Sequence, residues 1–192
     1  MNSKVQNLRQ GGNRRQGRVA GRRSLARLNA VQALYQLELD PQADPHGVVE
    51  EFRTYRLGCA LDAGEDGGVE KCPSPGADHA FFADIVEGAS SRQGEIDEQL
   101  VRVLPSGWPL DRLESVVRAI LRAGTYELLA RPDVPTASVI NEYLNVAHAF
   151  FDEGEVPFIN GVLDRLGRDL RGGETSGGNR KSGKGSLDER NG

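Results

Sequence analysis

Apolar residues along this chain recur every three to four positions, and the strict alternation that marks β-strands is nearly absent. The clearest example runs from Arg22 to about Leu39 and ends at Asp40 and Pro41. We therefore predict an all-α fold of about seven helices joined by short connections. The apolar face of the first helix consists of Leu25, Leu28, Val31, Leu34 and Tyr35. The same period predicts further helices over 44–57, from Asp78 to Ala89, from Ile96 to Leu104, from Asp111 to Leu128, from Thr136 to Phe151 and from Pro157 to about Leu170.

Local signals indicate where several of these helices begin. Asp78 and Thr136 are suitable cap residues, because their side-chain oxygens accept hydrogen bonds from free N–H groups of a first turn. Asp111 with Glu114 three residues later has the spacing of a capping box. Pro157 fits the first turn of the last helix, where its missing N–H costs nothing.

Three stretches contain too few apolar residues to offset the entropy of ordering them. Residues 1–21 form a basic arm, which we expect to be flexible. Residues 58–76 contain five glycines and two prolines, and we expect a flexible insert. Residues 172–192 contain seven glycines and should form a disordered tail. The remaining chain, 22–171 without the insert, is predicted to be one helical domain.

Charge is distributed unevenly along the chain. Residues 1–27 carry eight basic side chains and no acidic one, although the net charge of all 192 residues is −4. The rest therefore has 16 basic and 28 acidic side chains, a net charge of −12. A basic arm on an acidic body is typical of proteins that bind polyanions, but a solubilising tail would have the same composition.

The sequence lacks signals for membrane insertion, secretion or catalysis. No apolar run reaches the roughly 18 residues of a membrane span, and no apolar signal segment follows the N-terminus, so we expect a cytoplasmic protein. "GNRKSGKG" (178–185) resembles a phosphate-binding loop but lacks its Ser/Thr, strand and helix. Cys59, Cys72 and His79 lack the paired spacing of a zinc site. His148 has no evident nucleophile beside it, and we predict no enzyme, cofactor or metal.

Three separate motifs occur in one order along the chain: "RRSLARLNAVQALYQLEL" (22–39), "ILRAGTYELLARPDVPTASVINEYLNVAHAF" (120–150) and "VPFINGVLDRL" (156–166). Together they resemble the NusB family. That resemblance implies two three-helix bundles with a further helix. It also implies RNA binding in bacterial transcription antitermination, on the boxA element of nascent transcripts such as those of ribosomal RNA operons. The implied partners are NusE, which is also a small-subunit ribosomal protein, and the RNA polymerase antitermination complex.

The resemblance places the RNA-binding residues at the start of the first helix. Arg22, Arg23 and Arg27 match the basic start of the family's first motif, and guanidinium groups both bind phosphates and stack on bases. Gln32 and Tyr35 follow on the same helix. Tyr35 has two equally good interpretations, because it could stack on a base or pack into the core with its apolar neighbours.

The opening turn of the last helix is the second predicted RNA contact. Phe158 offers a stacking surface and Asn160 an amide beside N–H groups that could bind phosphate. The alternative is that Phe158 packs in the core, Asn160 caps the turn and Gly161 relieves crowding between helices. We expect an RNA-facing role for Phe158 and Asn160 and a structural one for Gly161. The two helix starts should then converge in a single groove for unpaired RNA.

Two further points concern the central motif. Arg118 and Arg122 could extend the basic track, but a solvated face is the better interpretation of the pair; Arg122 matches the motif's leucine–arginine pair, which favours a role in RNA binding for it. Tyr126 and Glu127 are more consistent with packing and an internal hydrogen bond than with chemistry.

Two other functions remain open: an accessory module for ribosomal RNA modification, and a helical scaffold that binds only protein.

Overall fold

The structure, a computed structural model, describes residues 21–57, 76–152 and 154–172. Its elements are α1 (Arg22–Leu39), α2 (Pro45–Tyr55), α3 (His79–Ser91), α4 (Gln93–Val103), a 3-10 helix (Leu110–Arg112), α5 (Ser115–Ala130), α6 (Thr136–Ala147) and α7 (Val156–Arg171). No strand occurs within these ranges, so the all-α prediction is confirmed. The predicted arm, insert and tail lie outside the described residues, apart from their boundary glycines. None of the described helices is long and apolar enough to cross a membrane.

Local sequence explains how α2 and α3 begin. Asp44 accepts a hydrogen bond from the Gly47 N–H at 2.9 Å, with Pro45 as the first residue of α2. Asp78 accepts one from the Phe81 N–H at 3.1 Å, as predicted. Each carboxylate also lies next to the partial positive charge of a helix N-terminus, which adds to its stabilising effect.

The predicted starts of α5 and α6 need correction. The helix α5 begins at Ser115 instead of Asp111, because residues 110–112 form the separate 3-10 helix. One Arg118 nitrogen donates to the carbonyls of Leu110, Asp111 and Leu113 at 3.2, 2.9 and 2.6 Å, which stabilises this turn. In α6, Thr136 is the first helical residue and Pro135 occupies the cap position.

The seven α-helices of the described residues pack as two groups of three with α4 between them. Helices α1, α2 and α3 contact one another, and α5, α6 and α7 do the same. Helix α4 contacts α3, α5 and α7, while α1 and α5 pack side by side and join the groups. The arrangement agrees with two three-helix bundles and a further helix. The largest fully buried apolar side chains come from both groups: Tyr143, Phe52, Phe82, Ile85, Ile96, Leu100, Ile120, Leu121, Ile159, Leu163 and Leu166.

Helices α1 and α5 run in opposite directions. Arg27, near the start of α1, bonds to Glu127 near the end of α5. Glu38, at the end of α1, bonds to Arg118 near the start of α5. The beginning of α1 therefore lies beside the end of α5.

Helix α7 runs in the same direction as α5. A Cβ added to Gly124 would lie 2.8 Å from Leu163 Cδ2, so the two helices approach closely there. Eight residues further along α7, which is about two helical turns, Arg171 donates to the carbonyls of Glu127 and Leu128 at the end of α5. The beginning of α7 therefore lies toward the beginning of α5, away from the start of α1.

Candidate nucleic-acid interface

Arg27 is buried, with only 4% of its surface exposed. Its Nε and Nη2 donate to the two Glu127 carboxylate oxygens at 2.9 and 2.5 Å, and Nη1 donates to Glu142 at 3.3 Å. Burial acts to lower the pKa of Arg27, but the hydrogen bond and charge of Glu127 outweigh it and the pKa is raised. The prediction that Arg27 binds RNA is corrected, since its guanidinium joins α1 to α5 and α6 inside the core.

Arg122 has a similar structural role. Its Nε and Nη2 donate to the two Asp97 carboxylate oxygens at 2.8 and 2.9 Å, and Nη1 donates to Glu38 at 3.3 Å. Glu38 also accepts from Arg118, so one carboxylate serves two guanidinium groups. Only 15% of the Arg122 side chain is exposed. Both interpretations of Arg122 from the sequence, as part of an RNA-binding basic track or of a solvated face, are therefore wrong. Its guanidinium links α5 to α4 and α1.

Arg22 and Arg23 are exposed at the first turn of α1, and we call them the cationic subsite. The Arg23 side chain is 52% exposed, lies 3.8 Å from Asp78 and stacks 5.0 Å above the Phe81 ring. Arg131 lies over the same ring at 5.1 Å, but it is paired with Asp84 and Asp133. Arg22 and Arg23 therefore supply accessible positive charge at this end of α1.

Gln32 and Tyr35 lie further along α1, and both are partly exposed. Tyr35 packs against the hydrophobic core while part of its surface stays accessible. This position is compatible with both interpretations of Tyr35, and its role in RNA binding remains a prediction, as does that of Gln32.

The start of α7 presents two rings and an amide. Phe158 is partly buried, and its ring centroid lies 5.5 Å from that of Trp108 at an interplanar angle of 35°. Asn160 is exposed. No side chain caps the helix at Glu155, and its first turn contains no acidic residue. We call Trp108, Phe158 and Asn160 the aromatic subsite.

Gly161 is not at a crowded position. A Cβ placed on it would meet no atom within 4 Å, so the expected structural role between helices is wrong. By contrast, a Cβ on Gly88 would lie 2.2 Å from the Tyr126 ring, so any larger residue at position 88 would clash with that ring. Gly161 leaves open space on the exposed face of the first turns of α7.

Sequence reasoning missed Trp108, because it lies between helices and belongs to no periodic face. It is 56% exposed. The signal available was its setting in "SGWPL" (106–110), where Gly107 and Pro109 mark a turn on both sides of a large aromatic residue.

The structure places the two subsites apart. Arg23 is one helical turn before Arg27, which bonds to Glu127, whereas Phe158 is five residues before Leu163, which contacts Gly124. Together with the three residues between Gly124 and Glu127, this separates them by about twelve residues, or roughly 18 Å along α5 at 1.5 Å per residue. The predicted single groove is therefore wrong, and only a ligand several nucleotides long could contact both subsites.

Metal binding has no support in the part of the chain that the structure describes, where no group of three or more His, Cys, Asp or Glu side chains could hold an ion. Cys59 and Cys72 lie outside those residues.

Tyr126 and Glu127 have the internal roles predicted for them: the Tyr126 hydroxyl donates to Asp84 at 3.0 Å, and Glu127 accepts from Arg27.

Fold and surface together define a class: an all-helical protein of two three-helix groups with an exposed cationic helix start and an exposed aromatic turn. The sequence profile of the NusB family matches residues 24–168. The chain belongs to the NusB family. Proteins named transcription antitermination protein NusB are similar to it: that of Sphingopyxis alaskensis is 47% identical over 151 residues, covering 78% of this chain and 94% of the relative. That of Novosphingobium aromaticivorans is 48% identical over 149 residues, covering 78% and 95%.

Solved structures share the fold. A NusB of T. maritima superimposes with a TM-score of 0.61 at 28% identity, over 78% of this chain and 92% of that one. A chain from a crystal structure of antitermination factors NusB and NusE in complex with double-stranded RNA gives a TM-score of 0.60 at 22% identity, over 77% and 97%. At this lower identity the second likeness supports the fold alone.

Proposed function

We propose that this chain is an RNA-binding transcription antitermination factor. It binds boxA-type single-stranded RNA of nascent transcripts, such as those of ribosomal RNA operons, together with NusE in the RNA polymerase antitermination complex. The observation that carries the proposal is the close likeness, over almost their whole length, to proteins named for transcription antitermination. The chain acts by binding rather than by catalysis, in the cytoplasm.

The cationic subsite supports an RNA-binding role. Arg22 and Arg23 are accessible, and a guanidinium can donate two hydrogen bonds to one phosphate or lie flat on a base. Arg27 and Arg122 do not contribute, since carboxylates already occupy their donors. The acidic remainder of the chain repels a phosphate backbone, which confines RNA to the few places where positive charge is exposed.

The two subsites support an extended ligand rather than a compact one. A single RNA strand lying over the cationic subsite can reach the aromatic subsite only after several nucleotides. Unpaired strands suit this arrangement, because their bases are free to stack on side chains while their phosphates meet cations. Phe158 and Asn160 would contact the strand at the second subsite, with Gln32 and Tyr35 as predicted contacts on α1.

The test is a salt-dependent titration of boxA RNA with Arg22→Ala combined with Arg23→Ala. Each phosphate contact to single-stranded RNA contributes about 0.7 to the log–log slope. Loss of two contacts should reduce the slope by about 1.4 and weaken binding on the order of tenfold at 0.15 M salt. Circular dichroism should show unchanged helicity and melting, because both side chains are exposed.

The matched control is Arg53→Ala with Arg102→Ala, which removes the same charge from exposed positions of α2 and α4. Equal weakening in both double variants would mean that only net charge matters, and no saturable RNA binding by the wild type would refute the proposal. Adding NusE should tighten RNA binding, and RNA should tighten NusE binding by the same factor. Independent titrations would remove NusE from the proposal.

A further inference from the structure

Trp108 is held in place by the backbone on both sides of it. The backbone N–H of Trp108 donates to the Pro105 carbonyl at 3.0 Å. This hydrogen bond closes a turn in which Gly107 has a φ of 87°. That left-handed conformation favours glycine, and Pro109 restricts the residue before it to extended backbone. The indole is thus presented by a defined turn, so its binding to a ligand costs little backbone entropy.

The indole also packs on a second aromatic ring and stays largely exposed. Its ring centroid lies 5.5 Å from that of Phe158, yet 56% of the Trp108 surface remains exposed. Phe158 itself packs against the core, so the pair is anchored. An anchored ring with an accessible surface is what base stacking requires.

The surroundings favour a nucleotide over an apolar protein side chain. Phe158 belongs to the first turn of α7, which contains no acidic residue, and Glu155 precedes that turn at the N-cap position without a capping hydrogen bond from its side chain. The N–H groups and partial positive charge of such a turn attract a phosphate. Asn160, two residues after Phe158, is exposed and can donate to and accept from the edge of a neighbouring base.

We propose that Trp108 is a base-stacking residue, and that it and Phe158 form a platform for one unpaired base of the RNA strand. This inference rests on the RNA binding proposed above and extends it to a residue that belongs to none of the three sequence motifs. The open position of Gly161, with space for a Cβ, gives the sugar or phosphate of that nucleotide room beside the ring.

The experiment uses the fact that Trp108 is the single tryptophan of the chain. Single-stranded boxA RNA labelled with fluorescein is titrated with the full chain, and its anisotropy gives the affinity. In parallel, unlabelled RNA is added while tryptophan emission is recorded. We expect emission to be quenched along the same saturation curve, and Trp108→Ala to bind between about fivefold and 150-fold more weakly. Trp108→Phe, which keeps a ring, should retain most of the affinity.

Leu39→Ala is the control, because Leu39 is exposed to a similar extent, 63%, but has no ring. Anisotropy showing RNA binding without tryptophan quenching, and with full affinity of Trp108→Ala, would overturn the inference while leaving the proposed function intact. Emission that responds to NusE alone and not to RNA would overturn it in favour of a protein contact. Absence of RNA binding by the wild type would refute the proposed function itself.

Discussion

Replacing Arg27 with methionine would leave the Glu127 carboxylate fully buried without its guanidinium partner. Glu127 is 0% exposed, and Arg27 supplies two of its hydrogen bonds at 2.9 and 2.5 Å. Removal of one member of a buried ion pair costs about 3–5 kcal/mol, because the remaining charge is desolvated and uncompensated. For a domain of this size, 1 kcal/mol corresponds to about 2–4 °C, so Arg27→Met should melt about 6–20 °C lower.

Urea and thermal unfolding followed by circular dichroism at pH 7 measure the effect. Arg22→Met, an exposed arginine of the same helix, is the matched control and should change stability by no more than about 0.5 kcal/mol. Arg27→Met combined with Glu127→Met should recover much of the loss, because an apolar pair of similar volume often replaces a buried ion pair well. A single Arg27→Met variant within about 1 kcal/mol of wild type would refute the structural role assigned to this pair.

Two further predictions concern a glycine and a tyrosine. Gly161→Ala should raise the free energy of unfolding by about 0.5–1 kcal/mol, since a Cβ meets open space there, whereas Gly124→Ala should lower it because its Cβ would lie 2.8 Å from Leu163 Cδ2. Urea unfolding distinguishes them, and a destabilised Gly161→Ala would contradict the open surface. Burial and the hydrogen bond to Asp84 raise the pKa of Tyr126 to about 12. The folded state therefore favours the neutral Tyr126 hydroxyl over the ionised one. Its contribution to the free energy of unfolding is complete below pH ~10 and is lost as the pH rises from about 10 to about 12. The stability difference between wild type and Tyr126→Phe should shrink across that range, and a constant difference would be inconsistent with the raised pKa.

The helices could be predicted from sequence where the determining interactions are local. The range of α1 and the Asp78 cap of α3 match the prediction, because an apolar period and a neighbouring N–H decide them. The start of α5 could not be predicted in this way. Arg118 stabilises the preceding 3-10 helix through carbonyls five to eight residues earlier, and Glu38, 80 residues away in sequence, orients its guanidinium.

The candidate site was predicted less well, because charge on a sequence does not reveal accessibility. Arg27 has the residue type of an RNA contact, but its partner Glu127 is 100 residues away. One signal did exist: Arg27 precedes Ala30, Val31 and Leu34 at the helical spacing of three, four and seven, which places it on the buried stripe. A lone basic residue within an apolar stripe indicates an internal ion pair before it indicates a ligand.

The separation of the two subsites is likewise a property of topology. The sequence shows that both helix starts carry suitable chemistry, but the antiparallel packing of α1 and the parallel packing of α7 against α5 decide where they lie. An RNA ligand must then be an extended strand, which changes the expected contacts from one groove to two points joined by several nucleotides.

Photocrosslinking of the purified chain to boxA RNA, with contacts mapped to residues in the presence and absence of NusE, tests this arrangement most directly. We predict crosslinks at the beginning of α1, around Arg22 and Arg23, and separately at Trp108 and Phe158, from nucleotides several positions apart on one strand. Crosslinks confined to one of these places, or to the surfaces of α2 and α4, would contradict a strand that spans both subsites.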